Sequence, residues 1–241
     1  MKKIFAANWK LFKTPKETRE FFTQFKEVAN KATGELVFFP SAISLEAACE
    51  ATKNSNIKIG AQNAYVKESG AFTGENSAKV VKELGGQYIL IGHSERRKIF
   101  GEEDGLLAEK VHFVQGLGLT PMLCVGETLE EREATHTFRV LETQLTLGLA
   151  KADKAKPIVI AYEPVWAIGT GKVATPEQVA ETHTDVFNIL KTLGFETAPI
   201  LYGGSVKADN AAGLIKQAHV SGFLVGGASL EAQSFIQIAS V

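Results

Sequence analysis

Short runs in which successive positions are apolar recur along the chain: IFAAN from Ile4, ELVFF from Glu35, IKIGAQN from Ile57, YILIG from Tyr88, TPMLCVG from Thr120, PIVIAYE from Pro157, PILYGG from Pro199 and GFLVGG from Gly222. Unbroken apolar runs of this length suit parallel strands covered on both faces, and fit an alternating antiparallel sheet poorly. Amphipathic segments lie between them, the clearest carrying Phe21, Phe22, Phe25, Val28 and Ala29, and later Val179, Val186, Leu190 and Leu193. Each opens with the same start signal. Thr14-Pro15-Lys16-Glu17 and Thr175-Pro176-Glu177-Gln178 place a hydroxyl at the N-cap, Pro at the first helical position and Glu or Gln at the third. A strand followed by a helix, eight times at about 30 residues each, predicts a closed (β/α)8 barrel. An open doubly wound sheet competes, but it usually carries GxGxxG after its first strand, where this chain has NWKLFKTPKE.

Length is compatible with one such core, so the 241 residues are expected to form a single domain, 1–241. Lys and Arg number 26 against 27 Asp and Glu, which leaves no overall field to attract nucleic acid or an anionic membrane; an anionic ligand must be held locally. Cys49 and Cys124 are too few for a disulfide framework and sit in no metal-binding spacing. The apolar run near the N-terminus is too short for a signal-peptide core, and none approaches the ~20 residues of a membrane span. A cytoplasmic location is the expectation. HxH and HExxH spacings are absent, and no metal is expected.

In a barrel of this kind, chemistry collects where the strands end. The first run ends near Asn8 and Lys10, the fourth at GHSERR with His93 and Glu95, the sixth at Glu163, the seventh at Gly203, Gly204 and Ser205, the eighth at Gly226 and Gly227. Singly, each has a plainer reading: a solvated lysine, a structural histidine, a capping carboxylate, glycines in tight turns. Together they put a cation, an imidazole, a carboxylate and two glycine turns at one mouth. Free backbone N–H groups at turns entering helices suit a phosphate. A carboxylate base can take a proton from carbon beside a carbonyl only if the resulting oxyanion is stabilised, and Asn8, Lys10 and His93 are suitable donors. The GTGK segment is no nucleotide P-loop, because Trp166 stands five before Gly171 and Val173 follows Lys172.

ANWK ending at Lys10, GAFTGE at 70–75, IGHSERR at 91–97, CVGE at 124–127, AYEPVWAIGTGK at 161–172, YGGSV at 202–206 and GFLVGGASL at 222–230 occur in order along the whole chain and resemble the triosephosphate isomerases. The resemblance implies interconversion of dihydroxyacetone phosphate and glyceraldehyde 3-phosphate through an enediolate, without a cofactor. It implies Glu163 as the base, His93 as a neutral donor, Lys10 and Asn8 at the developing oxyanion, and Glu95 holding Lys10. Phosphate would be gripped by Gly169, Ser205, Gly226 and Gly227, together with Asn8 and Lys10. Pro164, Val165, Trp166, Ala167, Ile168, Gly169, Thr170, Gly171, Lys172, Val173 and Ala174 would form a mobile lid, with Ile168 and Leu224 pressing on the base. The long polar connection from Tyr65 to Asn76, with Phe72 and Thr73 at its tip, would enter a second subunit and make a homodimer. Leu11-Phe12 stands where the family commonly has Met-Asn, and Ser221 where Asp is usual. Two alternatives stay in view: a Schiff-base aldolase, which needs a lysine within a later strand, and a catalytically silent barrel that only binds.

Overall fold

A computed structural model of the chain describes residues 3–169 and 171–241. Its strands are β1 (Ile4–Asn8), β2 (Glu35–Phe39), β3 (Lys58–Ala61), β4 (Tyr88–Ile91), β5 (Thr120–Val125), β6 (Val159–Tyr162), β7 (Ile200–Tyr202) and β8 (Gly222–Val225). Each pairs in parallel with the next, and β8 returns to β1, so the sheet closes as a (β/α)8 barrel. The helices are α1 (Pro15–Lys26), α2 (Leu45–Thr52), α3 (Ala78–Glu83), α4 (Ser94–Phe100), α5 (Asp104–Gly116), α6 (Leu129–Glu133), α7 (Thr137–Gly148), α8 (Pro176–Leu193), α9 (Ala208–Leu214) and α10 (Ala232–Ala239).

Alternation along each strand sorts the apolar residues into two cores. Ile4, Ala6, Val37, Phe39, Leu90, Met122, Cys124, Ala161 and Leu224 fill the barrel interior. Their neighbours Phe5, Phe38, Ile89, Leu123, Ile160 and Phe223 face outward onto the helices. The same parity carries past the apolar residues: Asn8 follows Ile4 and Ala6, and Glu163 follows Val159 and Ala161, so both continue the inward-facing rows at the barrel mouth.

Thr14 and Thr175 form complete capping boxes, with the hydroxyl accepting from the third helical N–H and the Glu17 or Gln178 side chain accepting from the cap N–H. Phe21, Phe22 and Phe25 pack with Trp9 and Phe38 between α1 and the barrel. Val28 and Ala29 lie beyond α1, where the chain tightens into a short 3₁₀ turn over Ala29–Lys31. The units after β4 and β5 each carry two helices where one was expected.

Candidate active site

The mouth gathers the predicted residues from separate strands. A cavity of about 260 Å³ is lined by Asn8, Lys10, His93 and Glu163, by Gly203, Gly204, Ser205, Gly226 and Gly227, and by Ile168, Gly169 and Leu224. A side chain at Gly203 would fill this space, since a Cβ there would lie 2.9 Å from the Glu163 Cγ. Glycine at that inward position leaves room for the carboxylate.

Glu163 is 2% exposed. Its Oε2 accepts from the Ser94 N–H at 2.9 Å, and its Oε1 lies 3.0 Å from His93 Nε2. His93 is the N-cap of α4, and its Nδ1 accepts from the Glu95 N–H at 3.2 Å. A nitrogen that accepts is unprotonated, so in the neutral ring the hydrogen resides on Nε2 and points at the carboxylate. Burial lowers the His93 pKa most strongly, but the charge and hydrogen bond of Glu163, with the charge of Glu95, outweigh it and the net direction is upward. Glu163 shows the converse: burial raises its pKa, while His93, the Ser94 N–H and Lys10 bring it below the ordinary carboxylate value. The upward influence on His93 belongs to this contact. Moving the carboxylate away leaves the buried ring with its Nδ1 on a backbone donor, and both features favour the neutral imidazole.

Lys10 Nζ lies 2.6 Å from Glu95 Oε1. Its backbone is left-handed, with φ +50°, an uncommon state for a residue with a side chain. Two carboxamides hold it there. Asn8 Oδ1 accepts from the Lys10 N–H at 3.1 Å, and Gln62 Nε2 donates to the Lys10 carbonyl at 2.8 Å and to the Phe39 carbonyl at 2.9 Å. Gln62 directly follows β3 and escapes a sequence reading confined to the other strand ends.

The segment after β6 begins from a buried anchor. Pro164 is buried, and Val165, Trp166 and Ala167 form a 3₁₀ turn. Trp166 Nε1 donates to Glu127 Oε1 at 2.9 Å, and the same oxygen accepts from Tyr162 Oη and an Arg132 guanidinium nitrogen, both at 3.1 Å. Glu127, legible in the sequence only within the CVGE motif, ties Trp166 to the end of β6 and to α6. Ile168 is half-buried, and Gly169 and Gly171 are exposed with positive φ. Thr170 lies outside the described residues. Lys172 and Val173 are exposed, and Ala174 is buried.

No residue of the Tyr65-to-Asn76 connection is among those lining this cavity. Phe72 packs on Tyr65 with ring centroids 4.6 Å apart, and Thr73 is exposed. Beneath its base, Lys110 is buried and donates to Asn63 Oδ1 at 2.7 Å and Glu102 Oε1 at 2.6 Å. Nothing in the residue pattern announced this network. Cys124 is buried beside Glu163, and burial pushes its thiol pKa up. Among the described residues no cluster of three His, Cys, Asp or Glu could hold a metal ion, and no helix is long and apolar enough to cross a membrane.

A closed parallel barrel with a carboxylate, an imidazole and an ammonium facing a glycine cradle has the layout of a barrel enzyme. Residues 3–241 match the family profile of triosephosphate isomerase. The chain is 82% identical to a triosephosphate isomerase of Bdellovibrio bacteriovorus over the full length of both, and 45% identical to one of Aquifex aeolicus over 99% of this chain and 98% of that one. A Clostridium acetobutylicum relative of the same name is 47% identical over 98% of each. The chain belongs to the triosephosphate isomerase family and is an isomerase.

Proposed function

We propose that the enzyme interconverts dihydroxyacetone phosphate and D-glyceraldehyde 3-phosphate by proton transfer through an enediolate. The observation that carries this reading is the Glu163 carboxylate, dry and 3.0 Å from a His93 Nε2 that bears hydrogen, in one cavity with Lys10 and the paired glycines. Glu163 removes a proton from the carbon beside the substrate carbonyl, and the released electron pair moves onto the carbonyl oxygen. His93 Nε2–H and the Lys10 ammonium stabilise that oxygen, Asn8 orients Lys10, and Glu95 fixes its ammonium. The hydroxyl proton on the first carbon passes by way of His93 to the oxygen of the former carbonyl, and the protonated carboxylate returns its proton to the neighbouring carbon, which leaves the new carbonyl in place and completes the isomerisation.

Phosphate sits on the N–H groups of Gly169, Ser205, Gly226 and Gly227. Closure of the lid, residues 164–174, expels water, which strengthens the electrostatics and protects an enediolate that could otherwise eliminate phosphate. Ile168 and Leu224 then press on Glu163, and lost hydration makes it the stronger base. The aldolase alternative finds no support, because the inward positions of β4 to β8 are Tyr88, Leu90, Met122, Cys124, Val159, Ala161, Leu201 and Leu224, with no lysine.

Residues 1–241 act as one domain that pairs as a homodimer in the cytoplasm. Leu11, Phe12, Ile43, Phe72, Ile99 and Phe100 are exposed, and all belong to the loops and helix end that follow β1 to β4. Those strands are neighbours, so the apolar residues fall on one side of the mouth, the arrangement of a surface awaiting a partner. A coupled assay with D-glyceraldehyde 3-phosphate tests the activity. Turnover abolished by Glu163→Gln supports it; a parent protein without turnover rejects it.

A further inference from the structure

Resting on the isomerase reading above, the ligand is a dianion, yet apart from Lys10 the proposed cradle consists of neutral backbone groups. Two lysines line the cavity, Lys10 and Lys207. Lys10 is already partnered by Glu95 at 2.6 Å. Lys207 is exposed and has no ion pair among the described residues. It lies two residues past Ser205, and its placement is fixed: Asn210 Oδ1 accepts from the Lys207 N–H at 2.8 Å, while Asn210 Nδ2 donates to the Ser205 carbonyl at 3.1 Å. One carboxamide thus ties the cradle residue and the lysine into a single turn at the cavity wall.

We propose that Lys207 is a substrate-recognition residue, a second side-chain cation besides Lys10 that draws the phosphate dianion into the cradle and favours it over less charged ligands. A charge at a solvent-exposed rim acts through a high dielectric, so its effect is modest and screened by salt. Lys207→Met should raise KM for D-glyceraldehyde 3-phosphate about 3- to 5-fold at low ionic strength, and flatten the salt dependence of kcat/KM. Lys207→Glu should raise KM further, and Lys207→Arg should restore it. Lys154→Met makes the same change of net charge on the segment leading into β6, at the opposite end of the barrel, and should leave KM and its salt dependence as in the parent. Calorimetric binding of inorganic phosphate should weaken in parallel with KM, and tests the lysine without turnover. Equal phosphate affinity with and without the Lys207 charge, or an equal shift from Lys154→Met, overturns the proposal. A parent that binds phosphate through Lys207 but does not turn over the triose phosphate would count against the isomerase reading alone.

Discussion

Replacing Gln62 by Glu changes one atom type and reverses the chemistry of a bridge between three strand ends. The native amide donates to the Lys10 and Phe39 carbonyls at 2.8 and 2.9 Å. An ionised carboxylate donates nothing and would face two carbonyl oxygens, whereas a protonated one can still donate to one of them. The folded state therefore favours the neutral acid and raises its pKa above the unfolded value of about 4.3. Stability relative to the parent is retained below that unfolded value and is lost as pH rises through the folded one. Gln62 is half-buried, so a shift of about two units is a reasonable expectation, equivalent to about 3 kcal/mol at neutral pH. That loss compares with about 1–3 kcal/mol for each buried acceptor left unpaired. Urea unfolding of parent and variant at pH 4.5 and pH 8, at one protein concentration, measures the difference. The gap should widen by roughly 2 kcal/mol at the higher pH, while Gln62→Met should give a loss that does not depend on pH. An equal gap at both pH values for Gln62→Glu would refute the reasoning.

Three further outcomes are expected. Glu163→Asp withdraws the carboxylate by about 1 Å and should cost on the order of 10²-fold in kcat with little change in affinity for inorganic phosphate, measured by the coupled assay and calorimetry; an unchanged kcat would remove the base assignment. His183 is fully buried, and burial holds its pKa at about 4 against an ordinary 6.5. Its folded pKa is depressed, so its contribution is complete above pH 6.5 and is lost as pH falls towards 4, by about 3 kcal/mol; His183→Phe should reduce the acid-side loss by that amount in urea titrations, and an unaltered acid slope would contradict this. Ile99→Glu places a charge in the exposed apolar set and should shift sedimentation from dimer to monomer at micromolar concentration, whereas a parent that sediments as a monomer would dismiss the partner surface.

Strands and mouth were legible because both depend on local, repeated signals. The apolar runs marked every strand, and the Thr-Pro starts of α1 and α8 marked their first residues. Parity explains Asn8 and Glu163: once the apolar residues before them face inward, they must as well. Other features depend on partners distant in sequence. Gln62 matters because β1 and β2 end beside β3 with carbonyls to satisfy, and Glu127 because Tyr162, Trp166 and Arg132 converge on one oxygen. Gln62 and Glu127 stand just past the third and fifth strands, outside the first, fourth, sixth, seventh and eighth strand ends whose polar residues pointed to the site. The buried Lys110 network had no such signal, since a lysine within an amphipathic helix reads as solvated until Asn63 and Glu102 are seen against it. The extra helices after β4 and β5, α4 and α6, were hidden by their short lengths and mostly charged sequences.

The account turns on one movement, the departure of the Glu163 carboxylate from its resting donor to a substrate carbon. A crystal structure with a phosphate-bearing hydroxamate that mimics the enediolate tests it most directly. The account predicts Glu163 released from the Ser94 N–H and poised over the two carbon positions, His93 Nε2 on the mimic's oxygens, and phosphate on Gly169, Ser205, Gly226 and Gly227. A carboxylate still held by Ser94 over an occupied cavity, or a phosphate seated away from those four residues, would contradict it.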